Sequence, residues 1–267
     1  MENILKKIVD KKKDQIKIYK KENPFSIINE NIKKEKNFFD FKKKLLNKTL
    51  TKDVSIISEI KKASPSAGIL VKNFDPINIA KIYEENGSSC LSILTEENFF
   101  LGKLEYIRNI KKNCRIPILC KDFFVDTYQV ALAKSFGADC ILIILSAVDK
   151  KLAKDLYDAA NDLSISSIVE VHTKQEAENA LFFDKSIIGI NNRNLKTLDV
   201  SLNQSVILSK ILSPHKNPLL CESGINNSQD IKYVVENAKI YNFLIGESLL
   251  KSSDIAKKLK EFTQINV

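Results

Sequence analysis

Glycine is scarce in this chain: 7 of 267 residues, well under the usual share of about 7%. That excludes collagen-like repeats, Gly-rich linkers and low-complexity arrays. Arginine is scarcer still, since only Arg108, Arg115 and Arg193 contribute to the 42 basic residues. Arginine forks interleaved with aromatics are missing, and no zinc-finger or RNP-type motif is present, so a nucleic-acid-binding role has little to rest on. Long apolar runs are missing too. No stretch approaches 18 apolar residues, which argues against a membrane span, and Met1 to Lys21 mixes charge throughout with no signal-peptide core. A soluble, cytoplasmic protein is the expectation. The cysteines (Cys90, Cys114, Cys120, Cys140, Cys221) are odd in number and show no C-x-x-C spacing. Cys90, Cys140 and Cys221 lie inside apolar runs and Cys120 ends another, so they read as small buried residues of a reducing compartment.

What is present is a well-mixed globular composition, 44% hydrophobic and 28% charged, which excludes a disordered chain. The net charge of +9 is unevenly spread. Residues 1–50 hold 15 lysines and 7 acids, whereas the remainder is nearly neutral. Lysine, asparagine and isoleucine are all abundant, as an AT-rich genome would produce. The length suits a single (β/α) barrel domain better than two well-packed domains.

Two helical patterns come first: Ile4, Ile8, Ile16 and Ile18 among lysines in residues 2–21, then Phe38, Phe39, Phe41, Leu45 and Leu46 beyond the Asn23-Pro24 break. From residue 54 short β-branched runs alternate with charged helical stretches. The runs are Val54–Ile60, Ser89–Leu94, Ile116–Cys120, Cys140–Leu145, Ser167–Val171, Ser186–Ile190, Leu219–Cys221 and Tyr241–Ile245. Asp75-Pro76 opens one helix, and Thr127, Asp149, Ser228 and Ser253 stand where N-caps of others would fall. Eight strand–helix alternations with strands apolar on both faces imply a parallel sheet, and eight units can close into a barrel. The alternative is a doubly wound open sheet, which would usually advertise a Gly-rich first turn; Ser64-Pro65-Ser66-Ala67-Gly68 is not one. The expected architecture is therefore α/β, a (β/α)8 TIM barrel over residues 51–267 with an N-terminal helical extension over residues 1–50.

In such a barrel the active site is built at the C-terminal ends of the strands. Five runs end in ionisable or amide groups there: Glu59 and Lys61, Lys121 and Asp122, Glu170, Asn191 and Arg193, Glu222 and Ser223. Any one of these could simply meet solvent, but charges abutting buried runs are expensive unless paired or used. Glu222-Ser223-Gly224 ends the seventh run and Gly246-Glu247-Ser248 ends the eighth. Backbone N–H groups beside a glycine and at a helix start suit a phosphate dianion, and this fold often binds phosphate after strands 7 and 8.

Seven segments, in order, carry a family resemblance that runs from about residue 1 to 260, the N-terminal extension included. They are Ile57–Ser66; Leu94-Thr95-Glu96 with Phe99–Gly102; Leu119–Phe123; Val169–His172; Gly189–Leu195; Cys221–Ile225; and Ile245–Leu249. Together they resemble indole-3-glycerol phosphate synthase. Ala67, Asn194 and Thr173 depart from residues common in that family, at positions with no chemical assignment. The resemblance implies ring closure of 1-(2-carboxyphenylamino)-1-deoxyribulose 5-phosphate with loss of CO2 and water, in tryptophan biosynthesis. It implies no redox cofactor and no metal, a small phosphorylated substrate, and neither nucleic acid nor membrane as a partner. Docking to a partner enzyme of the pathway is left open.

Carried onto this chain, the resemblance makes Lys121 the general acid, with a pKa expected to be lowered by desolvation or neighbouring cations. Glu170 becomes the general base or proton shuttle, and Glu59 the group that balances the lysines. Lys61 meets the substrate carboxylate or phosphate, and Asn191 positions substrate hydroxyls. Arg193 and Glu222 bind or brace the site. Ser64, Ser223, Gly224, Gly246 and Glu247, with Lys61, surround the phosphate. Pro65, Phe100, Phe123, Leu142 and Leu198 form the ring pocket, with plain core or loop packing an equal reading for the two leucines. The basic extension is either a pair of surface helices or a source of positive potential near the mouth. His172 shares the strand parity of Glu170 but lies past the strand end, and nothing else calls for it; His215 reads as solvated. Phosphoribosylanthranilate isomerase, a barrel expected to use a Cys/Asp pair, is the alternative enzyme. Against it, Cys120 adjoins Lys121 rather than replacing it. A silent scaffold barrel would have no use for the buried Lys121, Glu170 and Glu59.

Overall fold

The computed structural model describes residues 4–35, 37–195 and 197–266. Eight parallel strands close a barrel in sequence order: β1 (Ser55–Ile60), β2 (Cys90–Leu94), β3 (Ile118–Lys121), β4 (Cys140–Ile144), β5 (Ser166–Val171), β6 (Ile187–Asn191), β7 (Leu219–Glu222) and β8 (Asn242–Ile245). Closure is made by β1 pairing with β2 on one side and β8 on the other, with Ile57 beside Cys90 and Ser58 beside Ile245. This is the TIM-barrel arrangement, and all eight apolar runs become its strands. An antiparallel hairpin, Ala63–Ser64 with Gly68–Ile69, was not foreseen.

Among the described residues the helices are α1 (Ile4–Glu22), α2 (Phe25–Lys34), α3 (Phe41–Thr51), α4 (Pro76–Glu85), α5 (Glu105–Lys111), α6 (Tyr128–Ser135), α7 (Lys150–Asp162), α8 (Lys174–Ala180), α9 (Asn203–Ile211), α10 (Ser228–Ala238), α11 (Glu247–Leu250) and α12 (Ile255–Thr263). Their starts follow capping chemistry. Asp75 accepts from Ile77 and Asn78 N with Pro76 next in line, and Asp149 accepts from Leu152 N. Three expected caps are displaced by one residue. Asp126, not Thr127, accepts from Tyr128 N; Asn227, not Ser228, forms a capping box with Asp230; Asp254, not Ser253, caps α12. In each case a neighbouring Asp or Asn displaces the hydroxyl residue.

The extension holds three helices before β1, not two surface helices. Phe41 and Leu45, one helical turn apart on α3, are fully buried and pack with Leu119, Cys140, Ile187 and Leu220. They plug the N-terminal end of the barrel. Above them Ile57, Leu142, Ile168 and Leu244 fill the interior, so the barrel is packed rather than hollow. On α1 the buried stripe is Ile8, Lys12 and Ile16, an i, i+4 series with a lysine at its centre, while Ile18 is exposed. All five cysteines are buried and free, as the apolar runs predicted for Cys90, Cys120, Cys140 and Cys221. His215 is not solvated: its ring is half-buried, its Nε2 lies 2.9 Å from the Ser186 carbonyl, and burial lowers its pKa. Among the described residues no helix is long and apolar enough to cross a membrane.

Candidate active site

Strand alternation determines which side chains reach the mouth. The interior positions Ile57, Leu119, Ile168 and Leu220 are each followed two residues later by Glu59, Lys121, Glu170 and Glu222. The same parity therefore carries apolar groups at mid-barrel and charged groups at the C-terminal end. Lys121 lies at the centre of this ring, with Nζ 2.5 Å from Glu222 Oε2 and 3.4 Å from Glu170 Oε2. Lys61 Nζ sits 3.1 Å from Glu59 Oε2. Asn191 links the strands: its Nδ2 donates to Glu170 Oε1 at 3.2 Å, and its Oδ1 accepts from Ser223 Oγ at 2.9 Å.

This geometry reverses the expected titration of Lys121. Desolvation is the largest single influence and favours the neutral amine, but Glu222, Glu170 and Glu59 together outweigh it and raise the pKa above the ordinary lysine value. The expectation of a lowered pKa rested on desolvation or neighbouring cations; the desolvation is there, but the charged neighbours are carboxylates and they prevail. The two glutamates diverge. Burial opposes ionisation of Glu170, yet Lys121, His172 and Asn191 prevail and its pKa is lowered. For Glu222, burial and the Glu170 charge outweigh Lys121, and its pKa is raised. Two carboxylates on one ammonium are pushed apart in this way, and Glu222 is the one that holds a proton more readily. The sequence offered Glu222 only as a group that binds or braces the site.

Gly189 makes room for this arrangement. It is paired with Glu170 across the β5–β6 register, and a Cβ placed on it would lie 2.2 Å from Glu222 Oε1 and 3.0 Å from Ile168 Cγ2. Gly189→Ala must displace the Glu222 carboxylate from Lys121. A shift of about 1 Å in a catalytic group can cost on the order of 10²-fold in rate, so kcat is expected to drop by roughly 10- to 100-fold with the fold retained by circular dichroism. Wild-type kcat in this variant would show that Glu222 need not be held there. Gly246 plays a related part, since a Cβ there would meet Glu59 Oε2 at 2.9 Å.

Two adjoining cavities open at this end. The first is lined by Ser64, Pro65, Phe100, Phe123, Leu142 and Leu198 together with Lys121, Glu170, Asn191 and Glu222. The Phe100 and Phe123 rings lie 6.2 Å apart, centroid to centroid. The second, more polar cavity is lined by Gly224, Asn226, Gly246 and Ser248. Glu59, Lys61, Arg193, Ser223 and Glu247 border both. Ser64 stands apart from the other residues assigned to phosphate: it lines only the first cavity, and its Oγ accepts from Ala67 N at 3.2 Å. Ser223 and Gly224 both have positive φ, 65° and 92°, so the chain turns sharply after β7 with its N–H groups near the second cavity. Glu247 is paired with Lys251 at 2.5 Å and lies 3.8 Å from Arg193.

Sequence reasoning missed three contributors. Ile4, Leu5 and Ile8 of α1 complete the apolar wall of the first cavity; their helical spacing was visible, but not where the helix docks. Lys12 is buried at 1% exposure and pairs with Asp122 Oδ1 at 2.8 Å, next to Lys121. His172 packs against Glu170, its Nε2 3.2 Å from Oε1. Among the described residues no group of three His, Cys, Asp or Glu side chains could hold a metal ion.

A family model described as indole-3-glycerol phosphate synthase matches residues 5–262. The chain belongs to that family. It is 41% identical over 258 residues to the indole-3-glycerol phosphate synthase of Alkaliphilus metalliredigens strain QYMF, covering 97% of each chain. It is 40% identical over 255 residues to that of Polaromonas sp. strain JS666, covering 95% of this chain and 96% of the other. A solved structure of monomeric forms of a dimeric phosphoribosylanthranilate isomerase from Thermotoga maritima aligns with a TM-score of 0.55 at 10% identity, over 78% of this chain and 96% of that one, which shows a shared fold only. The departures from common indole-3-glycerol phosphate synthase residues have local accounts. Thr173 caps α8 by accepting from Glu176 N, as an Asp or Asn would. Asn194 Oδ1 accepts from Thr197 N at 3.3 Å, and Ala67 occupies the turn of the short hairpin.

Proposed function

We propose that this protein converts 1-(2-carboxyphenylamino)-1-deoxyribulose 5-phosphate to indole-3-glycerol phosphate, CO2 and water. The observation that carries the reading is Lys121 set between Glu170 and Glu222, with an apolar wall on one side and the Ser223–Gly224 and Gly246–Glu247 turns on the other. On this reading the phosphate occupies the second cavity, held by backbone N–H groups of Gly224, Gly246 and Glu247, by the Ser223 hydroxyl and by Lys61. The carboxyphenyl ring packs between Pro65, Phe100, Phe123, Leu142 and Leu198. Ser64 lies at the edge of the ring site, and Arg193 and Glu59 brace Lys61 and the phosphate loop.

The ring carbon bearing the carboxylate attacks the ribulose carbonyl, and the developing alkoxide takes a proton from Lys121. A lysine with a raised pKa is a weak acid towards water but an adequate one towards an alkoxide, and until then its full charge stabilises the oxyanion. Breaking the ring–carboxylate bond releases CO2 and returns the electron pair to the ring. Dehydration then needs a proton delivered to the leaving hydroxyl, which Glu222 supplies from its protonated form, and one removed from the adjacent carbon. Glu170, ionised and aimed by Asn191, takes the latter. The sum balances with proton transfers alone, so side chains suffice.

The chain is assigned to the cytoplasm, with residues 1–50 as an extension of one barrel domain spanning 51–267, and with a small phosphorylated molecule rather than nucleic acid or membrane as its partner. Single-turnover mixing with the substrate, followed by indole fluorescence, is the direct test. Glu170→Gln is expected to lower kcat by more than about 10²-fold; near-normal turnover would reduce Glu170 to a structural group.

A further inference from the structure

His172 is one of two histidines in the chain, and the mechanism above does not use it. Its ring is 8% exposed and stands between two carboxylates, Nε2 3.2 Å from Glu170 Oε1 and Nδ1 3.4 Å from Glu176 Oε2. It borders neither cavity, so it does not touch bound substrate. The backbone around it is pinned on both sides. Glu176 Oε2 accepts His172 N–H at 2.7 Å, and Gln204 Nε2 of α9 donates to the His172 carbonyl at 2.7 Å. Glu176 is itself fixed by the first turn of α8, where Thr173 Oγ1 accepts its N–H.

We propose that His172 is a positioning residue that holds Glu170 for its proton-transfer role, clamping Oε1 from behind while Glu176 holds the other face of the ring. The proposal rests on the acid–base part given to Glu170 above. Oε1 of Glu170 has two nitrogen neighbours, Asn191 Nδ2 and His172 Nε2, each at 3.2 Å, whereas Oε2 faces Lys121. Oε1 is therefore anchored by a hydrogen bond from Asn191 and by ion pairing with His172, whose ring nitrogens make no hydrogen bond among the described residues, and Oε2 is left to exchange a proton. The charged and titratable groups around the ring are Glu170 on its own strand and Glu176 on α8, with Lys121 of β3 and Glu222 of β7 beyond Glu170; β6 and α9 face it with the neutral amides of Asn191 and Gln204. Burial favours a neutral ring, but the two carboxylates prevail and push its pKa up to about 9. The imidazolium in turn helps keep Glu170 ionised.

His172→Gln and Glu176→Gln attack the clamp from its two ends, the second keeping an oxygen able to accept His172 N–H. Each is expected to lower kcat about tenfold and leave KM within about twofold; His172→Gln alone, which removes the cationic neighbour of Glu170, is expected to move the acid limb of the kcat–pH profile upward by about one unit, whereas Glu176→Gln keeps the imidazolium and should leave that limb in place. A fall in kcat with an unmoved acid limb in His172→Gln, or no fall in either variant, overturns the proposal. A second measurement needs no turnover: carboxyl 13C titration of Glu170 is expected to report a higher pKa in His172→Gln than in wild type, and an unchanged titration overturns the clamp. If the wild-type protein fails to convert the substrate, the proposed function falls, and the carboxyl titration still decides the role of His172.

Discussion

Lys121→Met is expected to lower turnover by about 10²–10⁴-fold while leaving substrate affinity within a few-fold of wild type. The reasoning starts from charge. Lys121 is the cation that lies between Glu170 and Glu222, at 3.4 and 2.5 Å from the two carboxylates. Its removal leaves two buried acids facing each other, and the cheapest response is for one of them to take a proton. Glu222, whose pKa is already raised by burial and by Glu170, is the one that does so. The barrel therefore survives the substitution, and the phosphate and ring contacts lie on other residues, so binding persists. What disappears is the donor to the carbonyl oxygen, an interaction whose value rises as that oxygen becomes anionic. Lys121→Arg separates charge from geometry: it keeps the cation, but its planar fork does not reproduce an ammonium, and it should recover only a minor part of the rate. Turnover within tenfold of wild type in Lys121→Met would sink the assignment of Lys121 as proton donor. The comparison is made by single-turnover fluorescence at saturating substrate, with the dissociation constant measured separately.

The strands and the charged ring were legible in the sequence because both follow one short-range rule. Alternation within each apolar run places Glu59, Lys121, Glu170 and Glu222 on the interior side, and the barrel only has to close for them to meet. What could not be read depends on how distant segments dock. The i, i+4 stripe Ile8, Lys12, Ile16 places a lysine among apolar residues, and nothing local says that Asp122 waits opposite. Phe41 and Leu45 are marked as a helical pair, but their place at the floor of the barrel depends on β-strands more than 40 residues away. The pKa of Lys121 was misjudged because its sign is set by which residues surround it, and sequence order does not give the Glu222–Lys121 distance. The glycines were legible in part. Gly224 lies, with Ser223, at positive φ where the run of β7 ends, whereas Gly189 and Gly246 prove to be small mainly to admit Glu222 and Glu59.

The docking of α1 is where the largest loss of stability is expected. Lys12 is almost wholly buried, and its ammonium meets Asp122 Oδ1 at 2.8 Å. Asp122 also accepts from Thr95 Oγ1 at 2.7 Å and from Phe123 N at 2.8 Å, so the carboxylate remains satisfied by neutral donors if the lysine is removed, whereas Asp122 is the one partner of Lys12 among the described residues. The pair is therefore asymmetric. Asp122→Ala strands a buried ammonium and should cost about 3–5 kcal/mol. Lys12→Met replaces the charge with an unbranched apolar chain of similar length and should cost less, and the double substitution Lys12→Met, Asp122→Asn should recover most of what Asp122→Ala loses. Urea denaturation of the three variants measures this. Equal destabilisation by the two single substitutions would show that the pair, and not the stranded charge, sets the cost. Activity is tied to the same contact, because α1 carries Ile4, Leu5 and Ile8 on the cavity wall and Asp122 is the next residue after Lys121. Loosening α1 removes apolar surface from the ring site and frees the segment that aims the proton donor. Asp122→Ala should thus raise KM as well as lower kcat, whereas Lys12→Met, which leaves Asp122 bonded to Thr95 and Phe123, should mainly raise KM.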